Sequence, residues 1–317
     1  MKPPRVQQGV GASAAVLEPG LVVASHGRHV WVETPDGRRL ICHPRGKKTQ
    51  AVVGDQVLWQ ASEDEGTLEK IQPRRNLFYR QDEIRTKSFA ANLDQILILI
   101  AAEPEFSESQ LTRALIAAEA AQIQPLIVLN KRDLGELHAR AWQRLAPYRE
   151  MGYTMLSTAL NPRDDAAPAT QLGELMPLLE NKTTLVLGPS GSGKSSLINR
   201  LLPAAQVLTQ EISSALNSGK HTTTSTSLYW ADAGRRTAVI DSPGFQEFGL
   251  HHIEAMQLAR LMPDLSAYTA DCKFYNCSHL HEPGCGVLQA LTQDGLLSAS
   301  RYRIYQALFA ELSETRY

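Results

Sequence analysis

Residues 188–196 read GPSGSGKSS, and residues 130–133 read NKRD. The first matches the G-x-x-x-x-G-K-[ST] pattern of a phosphate-binding loop in full. The second matches the N-K-x-D pattern that reads a guanine base. In an ordinary guanine-nucleotide protein the phosphate loop comes first. Here the order is reversed, so either one match is accidental or the chain has been rewired.

The surroundings of both motifs argue for rewiring. QILILIAA (95–102) is a continuous apolar run, as in a strand buried on both faces. A helical stretch SQLTRALIAAEAAQ follows, then a strand PLIVLN, a helix around 134–150 and a strand YTMLSTA. Next come a helix QLGELMPLLEN, a strand TTLVLG, the helix opened by the Gly-rich loop, and a strand TAVIDSPG. Alternating strands and helices imply an α/β fold with a parallel sheet and ligands at the strand carboxyl ends. The phosphate loop thus lies between a strand and a helix, and NKRD ends a strand of the same sheet.

The residue types fit the chemistry. In the loop Gly188-Pro189-Ser190-Gly191-Ser192-Gly193 the glycines let backbone amides converge on phosphate oxygens, and the helix amino terminus adds favourable potential. Lys194 is placed for the β- and γ-phosphates, the Ser195 hydroxyl for Mg²⁺, and Ser196 completes the loop. The Asp133 carboxylate can accept from guanine N1–H and the N2 amine, a donor pair that adenine lacks. Asn130 supports that loop, the Lys131 stem can cover the ring, and Arg132 lies between. Ser157, Thr158 and Ala159, ending the next strand, fit the backbone contact to guanine O6. Asp241-Ser242-Pro243-Gly244 fits D-x-x-G, with Asp241 toward magnesium and the Gly244 amide toward the γ-phosphate. Between it and the phosphate loop, SGKHTTTSTS (218–227) is Thr-rich where a nucleotide switch belongs, and Thr223 is the favoured magnesium ligand of the run Thr222–Thr224. The order NKRD, STA, GPSGSGKSS, HTTT, DSPG is that of a circularly permuted GTPase, since permutation changes connections and keeps the packed sheet. The segment after Gly244, FQEFGLHHIEA, then runs straight into the carboxyl-terminal region, so movement at Gly244 on hydrolysis would pull on it.

The flanks read as separate units. Residues 20–72 hold five short strand-like segments with a hairpin signal at Asp36-Gly37, which fits a small barrel, an OB-fold or another small β-domain. Residues 1–18 read as a flexible arm, and PRRNLFYRQDEIRTKSF (73–89) as a polar linker. The expected divisions are therefore an arm (1–18), a barrel (19–73), the permuted GTPase domain (74–250) and a metal domain (251–317). Of 317 residues, 43% are hydrophobic and the net charge is −1, yet residues 1–91 carry 14 Lys and Arg against 10 Asp and Glu. Arg38, Arg39, Arg45, Lys47 and Lys48 cluster without an acid, either as a solvated charge run or as a phosphate-backbone footprint. No run of 18 apolar residues predicts a membrane span, and no secretion signal is evident, which favours a cytoplasmic chain. Cys272-x4-Cys277-x-His279-x5-Cys285 offers three thiolates and an imidazole for a closed, structural zinc site, with His281 as a competing ligand.

Together these motifs resemble the circularly permuted ribosome-biogenesis GTPases of bacteria, the ribosome small subunit-dependent GTPase A family (also YjeQ or YloQ). NKRD before GPSGSGKSS, GKHTTT, DSPGFQEFGL, the Cys/His cluster and AANLDQILIL (90–99) carry the resemblance over roughly residues 20–317. It implies an amino-terminal OB-fold, a permuted G domain and a small helical zinc domain. It also implies one Zn²⁺, Mg²⁺ with GTP, and a monomer in late maturation of the 30S subunit, bound to 16S rRNA with GTP and released on hydrolysis to GDP. Phe245 stands where many G proteins carry a water-positioning Gln, and the resemblance supports His221 as the catalytic replacement. Two rivals remain at this stage: an RNA-binding module whose nucleotide is only a latch, and an ATP-dependent enzyme with an accidental NKRD.

Overall fold

The computed structural model describes residues 17–26, 29–45, 50–62, 65–160, 172–202, 226–244, 248–293 and 296–314. Five strands, β1 (Glu18–His26), β2 (His29–Glu33), β3 (Arg39–Pro44), β4 (Gln56–Ala61) and β5 (Gly66–Ile71), run β1-β2-β3-β5-β4, and β1 pairs back onto β4. The ring is closed, so the barrel reading holds, with OB-type strand order. Alternating residues fill it: Val22, Val30, Val32, Val57, Trp59 and Leu68 are buried around Cys42. Asp55, fully buried, accepts from Arg74 at 2.7 and 2.8 Å and from the Val52 amide at 2.8 Å, a pairing that makes its burial tolerable.

The stretch expected as a polar linker is a hairpin, β6 (Leu77–Gln81) and β7 (Thr86–Ala91). Its composition is polar because Phe78 and Phe89 are its large side chains in the core, beside the small Ala90, and both rings meet Phe248 at 5.6 and 6.0 Å. One strand is tied to the barrel, Ala91 N donating to Val53 O at 2.9 Å. The other holds the chain that leaves the D-x-x-G strand: Gln81 N donates to Gly249 O at 3.1 Å, and His251 N to Gln81 O at 3.0 Å. Gly249 is required there, because a Cβ would lie 2.5 Å from the Gln81 carbonyl oxygen.

The central sheet has the order β10-β9-β8-β11-β13-β12, from β8 (Gln95–Ala101), β9 (Gln124–Asn130), β10 (Thr154–Ser157), β11 (Thr183–Leu187), β12 (Thr226–Trp230) and β13 (Ala238–Asp241). All are mutually parallel except β12, an antiparallel strand whose first two residues, Thr226 and Ser227, fall in the run read as a switch loop. β12 also pairs with β1, Ala24 opposite Ser227 and Ser25 opposite Thr226, so the barrel and the G sheet are hydrogen-bonded into one surface. Trp230 Nε1 donates to Glu33 at 2.7 Å across that seam.

Helices cover the sheet: α1 (Glu108–Ala120), α2 (Glu136–Arg144), α3 (Ala146–Glu150), α4 (Met176–Leu179) and α5 (Lys194–Leu201). Ser107 caps α1 by accepting from Gln110 N. The helix expected over 171–181 is cut to the single turn of α4, with Pro177 in that first turn. Beyond lie α6 (Pro263–Ser266), α7 (Gly286–Thr292) and α8 (Ala299–Ser313), packed into the same apolar core as α1 and β8. Among the described residues, no helix is long and apolar enough to cross a membrane.

Arg301 of α8, 2% exposed, fastens this last unit to the G domain. Its guanidinium donates to both Asp264 oxygens at 2.7 and 3.1 Å and to Thr112 of α1, and lies 5.0 Å from the Tyr148 ring. Arg113 of α1 pairs with Glu311 of α8 in the same sense. The segment following Gly244 is therefore not a free tether, since the domain it enters is bolted directly to α1. Arg301→Met leaves the Asp264 carboxylate stranded, and denaturant unfolding followed by circular dichroism should show a loss of about 3–5 kcal/mol. Adding Asp264→Leu should recover much of that loss.

Candidate functional site

Parallel register brings the motifs to one edge of the sheet. Val186 of β11 lies opposite Asp241 of β13, Leu187 opposite Ile98 of β8, and Ala101 opposite Asn130 of β9. The loops that follow β11, β9, β10 and β13 consequently share the carboxyl end, where a nucleotide can span them.

The phosphate loop leaves β11 at Gly188 and enters α5 at Lys194. Gly193, at φ 104°, must be glycine: a Cβ would sit 2.3 Å from Asn130 Nδ2. That close approach is functional architecture, because Asn130 Nδ2 donates to Ser192 O at 2.9 Å and locks the NKRD loop to the phosphate loop. The Lys194 ammonium folds back onto the carbonyls of Gly188 and Pro189, at 2.7 and 3.1 Å. It occupies the loop's own acceptors as it would phosphate oxygens. Burial lowers its pKa, and nearby Asp241 opposes that shift. Burial pushes the Asp241 carboxyl up to about 6, against the pull of Lys194. Ser242, which sequence reasoning passed over, fixes this strand end by donating from Oγ to Val186 O at 2.8 Å. Ser192 Oγ is buried without a hydrogen-bond partner, and Ser190, Ser195 and Gly244 are exposed. An unpartnered hydroxyl inside a cradle, beside an exposed Ser195 and a carboxylate, is an all-oxygen donor set suited to phosphate with a hard cation.

On the neighbouring strands, Lys131 adopts a left-handed conformation at φ 67° and starts a short 3₁₀ turn over Arg132–Leu134. That turn puts Asp133 at the exposed rim. The Ser157–Ala159 loop is stitched to it: Arg132 N donates to Thr158 O at 2.9 Å, Thr158 N to Leu129 O at 2.8 Å, and Leu160 N to Asn130 Oδ1 at 3.0 Å. Among the described residues the Ala159 amide, on a residue 4% exposed, has no acceptor. Thr222, Thr223, Thr224, His221 and Phe245 lie outside the described residues.

The metal cluster assembles as its spacing implies. One ligand atom each from Cys272, Cys277, His279 and Cys285 lies within 4.8 Å of all the others. Cys272 Sγ and Cys285 Sγ are 3.9 Å apart, and His279 Nδ1 is 3.4 and 3.5 Å from them. A tetrahedral ion with thiolate bonds of about 2.3 Å separates its sulfurs by about 3.8 Å, so the set fits a metal. His281 is exposed and is not one of the four. Glu282 shapes the loop by accepting from the Ser278 amide at 2.8 Å and the Leu280 amide at 3.2 Å. Tyr305 and Tyr302 of α8 donate to the carbonyls of Ser278 and His279 at 2.7 and 2.8 Å.

The basic stretch on the barrel is less free than its sequence suggests. Arg39 is spent on the buried Glu33 at 2.7 Å, and Arg38 and Arg45 pair with Asp36 and Glu69 at 2.8 and 2.6 Å. The last two pairs are exposed and exchangeable, whereas Arg39 serves the domain seam. Lys47 and Lys48 lie outside the described residues.

Comparison with known proteins bears directly on this geometry. The profile of a family described as RsgA GTPase matches residues 71–251. A protein of Variovorax paradoxus, "Small ribosomal subunit biogenesis GTPase RsgA", is 67% identical over 313 residues, covering 98% of this chain and 97% of that one. Its namesake from Paraburkholderia phymatum is 51% identical over 297 residues, covering 93% and 92%. The crystal structure of YloQ, described as a circularly permuted GTPase, superposes with a TM-score of 0.69 at 30% identity, covering 95% of this chain and 98% of that one. YjeQ from Thermotoga maritima superposes at 0.71 and 28% identity, covering 95% and 100%. The reversed order of guanine reader and phosphate loop is thus a circular permutation, and the chain belongs to the RsgA GTPase family.

Proposed function

We propose that this GTP hydrolase is an assembly factor for the 30S ribosomal subunit, binding 16S rRNA in its GTP state and leaving after hydrolysis, as a cytoplasmic monomer. The observation that supports the reading is the union, in one continuous sheet, of the phosphate, NKRD and D-x-x-G loops with a barrel seamed to β12. In the functional division proposed, residues 19–73 contact RNA, 74–250 turn over GTP and 251–317 form the metal-stapled unit.

Within the nucleotide site, each residue has a defined task. Gly188 and Pro189 shape the loop whose residues Ser190, Gly191, Ser192 and Gly193 present amides to the phosphates, Lys194 leaves its two carbonyl partners for phosphate oxygens, and Ser196 supports the turn. Asp133 reads the two guanine donors, Lys131 and Arg132 flank the base, and the Ala159 amide in the Ser157–Thr158–Ala159 loop faces O6. Ser195, Thr223 and Asp241 would hold Mg²⁺, which offsets charge on the β- and γ-phosphates. Gly244 carries the γ-phosphate contact, and His221 orients the attacking water in place of the Gln that Phe245 displaces. The metal held by Cys272, Cys277, His279 and Cys285 is Zn²⁺ in this reading, because three thiolates and an imidazole in a closed set match that ion.

Nucleotide-dependent cosedimentation with 30S particles tests the whole. A GTP analogue should retain the chain on the particle and GDP should release it, while equal retention in both states removes the assembly-factor reading. Asp133→Asn should weaken GTP binding by about 10²-fold and gain xanthosine triphosphate, measured by competitive titration. His221→Ala should keep GTP affinity and 30S binding while lowering stimulated turnover by about 10²-fold, read as phosphate release. Cys277→Ser should lower the zinc content measured by atomic absorption and increase proteolysis beyond residue 254, since structural zinc contributes folding energy directly.

A further inference from the structure

We infer that His138 is a positioning residue for guanine recognition, clamping the Ser157–Ala159 loop against the helix that follows NKRD. The inference rests on the guanine reading proposed above and adds a residue that no motif contains. His138 lies on α2, just beyond the turn that carries Asp133, and is 8% exposed. Its Nε2 is 2.9 Å from Ser157 Oγ. Trp142, one turn along α2, stacks beside the imidazole at 6.2 Å and 16°, and the Arg149 guanidinium lies 5.0 Å from the Trp142 ring.

Burial, helped by the Arg132 charge, lowers the imidazole pKa and favours the neutral ring, whose Nε2 shares one hydrogen bond with Ser157 Oγ. The other ties between the two loops are made by their own residues, Arg132 to Thr158 and Asn130 to Thr158 and Leu160. Among the described residues, His138 supplies the side-chain hydrogen bond that α2 makes to the Ser157–Ala159 loop. Two residues past Ser157 is the Ala159 amide. Fixing Ser157 from the helix side therefore fixes where that amide points, without His138 touching the nucleotide. A histidine that merely fills the core would support both loops without discriminating the base edge. A positioning histidine acts on the six-oxo contact.

The test compares GDP with 6-thioguanosine diphosphate, which keeps both donors read by Asp133 and replaces the six-oxo oxygen with a weaker sulfur acceptor. Wild type, His138→Ala, His138→Gln and Ser157→Ala are titrated with each nucleotide. His138→Ala should weaken GDP by about tenfold, the scale of one hydrogen bond, and 6-thioguanosine diphosphate by less than about twofold. Ser157→Ala should match it, and the double variant should add little, as for two partners in one contact. His138→Gln should restore GDP to within about threefold, and kcat at saturating GTP should be unchanged in both His138 variants. Unchanged GDP affinity in both His138→Ala and Ser157→Ala overturns the inference, as does equal weakening of the two nucleotides. If His138→Ala does not fold, Ser157→Ala and His138→Gln carry the same comparison. A wild-type chain indifferent to the sulfur, with Asp133→Asn still losing GTP, removes the O6 contact while leaving the Asp133 reading in place.

Discussion

Every functional contact in this molecule depends on β11 being hydrogen-bonded on both sides, to β8 and to β13. Strands paired in parallel have their carboxyl ends on one side. A slip of one residue would move the phosphate loop by about 3.3 Å and turn its strand inside out. Polar ties oppose that slip: Thr183 N donates to Asp94 Oδ2 and Gln95 Nε2 to Thr184 Oγ1, each at 2.8 Å. With the register fixed, Asn130 can reach Ser192, Ser242 can reach Val186, and Lys194 and Asp241 lie within each other's field. The chain order of these strands is immaterial to that arrangement, which is why permutation leaves the site intact.

What could be read directly from the sequence was local. GPSGSGKSS, NKRD, DSPG and the Cys/His spacing each bind through residues close in the chain, so linear pattern carries them. The barrel was legible through short alternating strands, although the pairing that closes it, β1 on β4, was not. The hairpin at 77–91 was hidden because just two phenylalanines in a polar stretch anchor it, and their partner Phe248 is remote in sequence. β12 was hidden because it begins inside a threonine-rich run that also suits a switch. His138 and Arg301 act through partners that only the fold brings near. Nothing in their own neighbourhoods marks them.

The hairpin and α8 together change how the end of the G domain should be viewed. Phe248 and Gly249 are pinned by the hairpin within a few residues of Gly244, and the unit beyond is fastened to α1 through Arg301 and Arg113. Displacement at Gly244 would meet a braced segment rather than a slack connector. The same hairpin is tied to Val53 of the barrel, so the brace has its other foot in the amino-terminal domain.

The split allegiance of β1 has a consequence for how the chain emerges during synthesis. Its first half, Glu18–Leu21, pairs with β4, and the barrel can close as soon as β5 has been made. Its second half, at Ala24 and Ser25, waits for β12, whose Trp230 is 197 residues beyond its own barrel partner Glu33. At about 5–20 residues per second the closed barrel would hold an unpaired edge for roughly 8–30 seconds of translation. An open edge of that duration invites pairing with another nascent chain. Two residue pairs are enough to weld the finished domains and too few to make a durable template for the wrong partner.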